Sequence, residues 1–219
     1  MTQSAEKRWT YPVRRLAFLC AGLIIMAFGV AFSIKAALGT SPISSVPYVT
    51  ARISGLSVGA TTIIMNFFFV LIQIAILRRQ YQWFQLLQFP AAVLFGVMID
   101  VAEVVLSPLP AGNYLQQWVL CAVGIVLIAL GVSVEVMANL VTTAGEGIVL
   151  AICKVFPVKF GNMKMAFDIT LVCISIVLSL LFLGGLDGVR EGTVAAAVLV
   201  GQITKRFQPL MKALERAVL

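Results

Sequence analysis

An offset of 102 residues, held without a gap, lays one half of this sequence over the other. Residues 22–36 (GLIIMAFGVAFSIKA) fall on residues 124–138 (GIVLIALGVSVEVMA), and the register persists where Thr40 meets Thr142, Gly59 meets Gly161 and Asn66 meets Asp168. A chain built this way is expected to fold as two like units. If each crosses a bilayer three times, an odd number, the second enters from the opposite face, and the product is the inverted repeat on which many transporters are built.

The medium follows from composition. With 61% hydrophobic and 11% charged residues, the chain carries more apolar surface than a soluble core of its size could hide. A bilayer core needs about 20 apolar residues per helix, and runs near that length fall at about 16–38, 58–77, 85–106, 115–140, 163–183 and 193–204. The first run follows basic residues as a signal peptide would, but its counterpart at mid-chain argues that it is retained.

Charge tests the six-span count independently. With the amino terminus in the cytoplasm, Lys7, Arg8, Arg14, Arg15, Arg78, Arg79, Lys154, Lys159, Lys164, Lys205, Arg206, Lys212 and Arg216 all fall inside, thirteen of sixteen basic residues. Only Arg52 and Arg190 fall outside, and Lys35 lies within a span. That bias is the positive-inside pattern and places both termini in the cytoplasm. It makes the net charge of +7 a topology signal, with no basic groove for nucleic acid. Trp9, Tyr11, Tyr81 and Trp83 sit at the inner boundary, Tyr114 and Trp118 at the outer one.

Absences narrow the chemistry. No histidine means no Ser-His hydrolase, no HExxH metalloprotease and no histidine-ligated haem or copper. No Walker loop or dinucleotide fingerprint is present, and the loops are short. No enzyme, cofactor or metal is expected. Cys20, Cys121, Cys153 and Cys173 have no metal-ligand spacing and read as small buried hydrophobes.

Gly22 and Gly29, on one helix face, recur as Gly124 and Gly131, a stripe for close helix packing near a pseudo-twofold axis. After that helix each half holds a segment too long for a turn and too short to span, 39–57 and 141–159. Thr40 and Ser41, or Thr142 and Thr143, open a short helix that Gly55 or Pro157 would end. Two arrangements fit. Flat at the interface, these helices would be packing elements; re-entrant, their amino-terminal amides would face an anionic group, against which stands the charge of Glu146, aligned with Ser44.

Residues 29–49 (GVAFSIKAALGTSPISSVPYV), above all Lys35, Leu38, Gly39, Thr40, Pro42 and Pro47, resemble the signature of the YczE branch of the YczE/YyaS/YitT family of bacterial integral membrane proteins. The resemblance implies a polytopic protein of the bacterial plasma membrane and supplies no substrate or reaction. YitT relatives append a soluble carboxy-terminal domain, to which nothing in residues 205–219 corresponds.

Ionisable groups within spans cost about 2.5–3.5 kcal/mol each at a helix centre. Lys35 and Asp100 lie in the outer parts of the first and third spans, Glu135 and Lys205 near the inner ends of the fourth and sixth. They form two candidate ion pairs that would exchange as access alternates, unless all four snorkel independently. Nearer mid-membrane sit Asn66 and Asp168, with Gln73 on the face of Asn66. Asp168 has two open roles, a proton-carrying carboxylate or a salt-bridge partner of Lys164.

The expectation is an all-α membrane protein of six transmembrane helices in two inverted three-helix repeats, each with a short helical or re-entrant segment after its first helix. It forms a single domain: repeat 1 over about 12–110, repeat 2 over about 113–208, and a cytoplasmic amphipathic tail at 209–219. The expected function is secondary transport, or channelling, of a small molecule or ion by alternating access. The site is Thr40, Ser41, Ser44, Asn66, Thr142, Thr143, Glu146 and Asp168, the partners lipid and that small solute, with a homodimer suggested by small size. Two alternatives remain. One is a lipid-binding or scaffolding accessory protein, cued by the tail face of Leu210, Leu214 and Ala217; the other is a substrate-binding subunit beside a separate ATPase.

Overall fold

The computed structural model describes residues 2–218, with side chains described over 13–211 and 213–215. The side chains of Lys7, Arg8, Trp9, Tyr11, Lys212, Arg216 and Ala217 lie outside the described ones. Eight helices follow in order among the described residues: α1 (Thr2–Ala36), α2 (Pro42–Ser54), α3 (Val58–Leu77), α4 (Gln88–Leu106), α5 (Tyr114–Ala138), α6 (Ala144–Val155), α7 (Phe160–Phe182) and α8 (Glu191–Val218). Two short 3-10 turns, Arg78–Gln80 and Trp83–Leu87, join α3 to α4.

Helix boundaries repeat with the sequence. Ala36 and Ala138 end α1 and α5, Pro42 and Ala144 begin α2 and α6, and Val58 and Phe160 begin α3 and α7. Local chemistry sets several of these ends. Pro42 at the first position of α2 loses no hydrogen bond there, and Gly55 closes α2 at φ 74°, donating to Ala51 O. Ser57 then caps α3 by accepting the Ala60 N–H, as Asn113 caps α5 by accepting that of Gln116.

Five stretches are long and apolar enough to cross a membrane: Val13–Ala36, Val58–Gln80, Trp83–Leu106, Tyr114–Ala138 and Phe160–Phe182. The sixth expected run, 193–204, forms the first half of α8 but does not reach that measure. Lys205 and Arg206 follow it at once, and the helix continues unbroken through Pro209 into the tail. The tail is not a separate element: Met211 is buried with Val134 and Met137 of α5, while Leu210 and Leu214 stay exposed.

The α1 and α5 helices form the centre. A Cβ built on Gly22 would fall 2.9 Å from Gly131 O, and one on Gly131 2.7 Å from Gly22 O; Gly29 and Gly124 stand in the same relation. Only glycine permits backbones to meet this closely, and the contact lets Cα–H groups face carbonyl oxygens. Because the early glycine of α1 meets the late glycine of α5, the two helices run antiparallel. Around them α4 packs on α1 as α8 packs on α5, and α2 packs on α7 as α6 packs on α3. The outward surface is apolar, with Phe67, Phe68 and Leu71 of α3 and Met165, Ile169, Val177 and Leu181 of α7 exposed. A surface of this kind belongs against hydrocarbon. Cys173 departs from its expected burial and shares that exposed surface of α7; Cys121 is buried as expected.

One end of the bundle is tied shut. Thr40 N donates to Gly188 O at 3.0 Å, Gly192 N to Leu38 O at 2.8 Å, and Arg190 Nη1 to Ala37 O at 3.0 Å. Arg52 pairs with Asp187 at 3.2 Å, so the loop before α8 is fastened to the start and end of α2. At the opposite end, where Arg78, Arg79, Lys154 and Lys159 gather, Arg15 reaches Ala138 O at 3.3 Å.

Candidate functional site: an interior cavity at two helix starts

A cavity of about 390 Å³ lies between the two halves. The first turns of α2 and α6 both line it, which resolves the two arrangements open to these segments: their amino termini point into the protein. Apolar side chains supply most of the wall, including Leu23 and Met26 of α1, Phe95 of α4, Ile128 and Val132 of α5 and Val200 of α8. It extends to Phe160, Lys205 and Gln208, all exposed at the Arg78 end, and thus opens there.

Seven of the eight expected binding residues line this one cavity: Ser41, Ser44, Asn66, Thr142, Thr143, Glu146 and Asp168. Thr40 does not. It is buried one residue too early, with its amide and its hydroxyl both directed at Gly188 O, and serves the closed end. Ser41 donates to Ser44 Oγ at 3.0 Å, and Asn66 Nδ2 to Thr62 O at 2.9 Å.

The expected ion pairs are not formed. Lys35 donates to Ser107 O at 2.8 Å, while Asp100 accepts from Ser57 Oγ at 2.6 Å and from Gly59 N at 2.7 Å. Asp100 is therefore a second cap of α3, beside Ser57, because free amides at a helix start attract a carboxylate as a lysine would. Glu135 and Lys205 both line the cavity but make no ion pair with each other. Glu135, only 3% exposed, accepts the Thr143 N–H at 2.6 Å and so caps α6. Asp168 takes the salt-bridge role with Lys164, 2.5 Å away one turn earlier.

Thr143 and Glu146 have the spacing of a capping box, in which the third helical residue reaches back to the N-cap amide. Here Glu135 occupies that amide instead. Glu146 is left in the cavity wall with no hydrogen bond or ion pair among the described residues.

Sequence reasoning missed Gln88, which lines the cavity and accepts from Gln73 Nε2 at 3.1 Å. Gln73 also donates to Ala144 O at 2.9 Å, and a Cβ on Gly147 would fall 2.5 Å from Gln73 Oε1. The Gly147 position thus seats α6 on α3. Gln73 was legible as a polar residue inside a span; Gln88 also falls within the expected 85–106 run, but so near its end that its polarity did not stand out.

Residues 13–209 match the family of unknown function DUF6198. The uncharacterized membrane protein YczE of Bacillus subtilis (strain 168) is 31% identical over 212 residues, covering 95% of this chain and 89% of that protein. The uncharacterized protein YyaS of the same organism is 27% identical over 193 residues, covering 87% of this chain and 90% of its own. No solved structure matches the chain.

Proposed function

The chain belongs to the DUF6198 family of membrane proteins, and from that premise we propose that it is a secondary carrier moving a small solute across the bacterial plasma membrane. Its two halves are inverted repeats that rock about the α1–α5 glycine contact. The observation that carries this reading is one cavity lined at matched positions of both halves: Ser41 with Thr143, Ser44 with Glu146, and Asn66 with Asp168. The antiparallel meeting of α1 and α5 supports the inversion. In this reading α8 completes a sixth crossing, since it packs on α5 as α4 does on α1, and both termini are cytoplasmic.

Alternation has a concrete form. The Thr40–Gly188 contact closes the Arg52 end, while its repeat-related counterpart, Thr142 with Leu86, belongs to the open end, and Thr142 faces the cavity. Rocking exchanges the two. Cysteine pairs at Thr40 and Gly188, and at Thr142 and Leu86, test this in native membranes lacking the endogenous thiols. Each pair should cross-link, and locking either should block the other. If only the first forms under every condition, the protein does not alternate and the carrier reading fails.

A further inference from the structure

The ligand chemistry follows from which cavity charges are already compensated. Three carboxylates line the wall, Glu135, Glu146 and Asp168. Asp168 is neutralised by Lys164. Glu135 is offset by the start of α6, whose Thr143 amide it accepts. Its second oxygen makes no hydrogen bond among the described residues, and the charged side chain acting on it is Glu146, not a lysine.

Glu146 has no hydrogen bond or ion pair of its own, because Glu135 has taken the amide that a capping box would give it; Lys164, the cation that acts on it, is already paired with Asp168, so one lysine serves two carboxylates. Lys205 lines the cavity only at its exposed mouth, away from the interior carboxylates' buried ends. Pro47 adds to the surplus of acceptors: it has no amide to give Ile43 O, and both residues line the same cavity. An interior wall that is mostly apolar thus holds one carboxylate more than its fixed partners serve; a proton or a cation completes it, and a cation with an apolar body also fits the rest of the wall.

We propose that the cavity takes a small organic amine, its ammonium against Glu146 and the free oxygen of Glu135, and its apolar part along Met26, Ile128 and Val132. This rests on reading the cavity as a carrier's binding site and names the substrate class.

Three probes of one shape decide it: phenethylamine, 2-phenylethanol and 3-phenylpropionate, each titrated against the full chain in lipid nanodiscs by calorimetry and thermal unfolding. The amine alone should bind and stabilise. Glu146→Gln should weaken it by about tenfold or more while unfolding at the wild-type temperature without ligand, and Glu146→Asp should retain binding. The proposal is overturned if the alcohol or the acid binds as well as the amine, if the amine fails to bind at millimolar concentration, or if Glu146→Gln binds like wild type. A Glu146→Gln protein that does not fold would also overturn it, since the carboxylate would then have a structural partner. Amine binding without amine flux into liposomes would preserve this assignment and remove the carrier reading; anion flux without amine binding would do the reverse.

Discussion

Gly29 of α1 lies so close to Gly124 of α5 that a Cβ on either would stand within 3 Å of the other's carbonyl oxygen, at 2.9 and 2.8 Å. The first helices of the two repeats therefore share one backbone seam. Beside these carbonyls the Ile128 amide nitrogen lies 2.7 Å from a Cβ on Gly29, and such main-chain atoms cannot swing aside.

Gly29→Ala should consequently lower stability by about 1–3 kcal/mol, the usual cost of overpacking, read as a fall in the unfolding midpoint in detergent. Gly161→Ala is the control, since nothing lies within 4 Å of a Cβ there. It should leave the midpoint unchanged or raise it, because alanine is the better helix former by up to about 1 kcal/mol.

Glu135 and Glu146 should part company in stability. Glu135→Ala removes a charge-assisted hydrogen bond to the Thr143 amide and should cost about 1.5–3 kcal/mol. Glu146→Ala removes no hydrogen bond and should leave unliganded stability near wild type. Equal losses in chemical unfolding would contradict the capping assignment.

Lys35 and Asp100 should show no mutual rescue on charge exchange. Asp100→Lys removes one of the two caps of α3, which Lys35→Asp cannot restore, because Lys35 addresses Ser107 O. Ser57→Ala should reproduce part of the Asp100 loss, about 1 kcal/mol. A double exchange as stable as wild type in thermal melts would show that the two do pair.

The legible part of this molecule was what repetition and polarity write into a linear chain. The 102-residue offset recurs in the ends of α1 and α5 and in the starts of α2 and α6 and of α3 and α7, and hydroxyls at 40, 41, 142 and 143 marked the two helix starts that meet in the cavity. The Lys164–Asp168 pair was legible from its one-turn spacing; the partners of Lys35, Asp100, Glu135 and Lys205 were not, because opposite signs were matched with each other and the unbonded amides of helix starts were left out. Asp100 and Glu135 each went to such a start. The same oversight hid the freedom of Glu146, whose capping-box partner is claimed by a residue from another helix. Thr40 failed for a geometric reason: one residue separates it from Ser41, enough to turn it from the cavity to the Gly188 loop.

Access to the cavity from alternate sides is the central claim, and a single cysteine at Ser44 in a cysteine-free background reads it most directly. In this conformation a membrane-impermeant thiol reagent should label it from the side carrying Arg78 and Arg79, and not from the side carrying Arg52. Asp187→Arg, which breaks the Arg52 pair at the closed end, should open the second route and reduce the first. Labelling confined to one side in both proteins, or absent from both sides, would contradict the account.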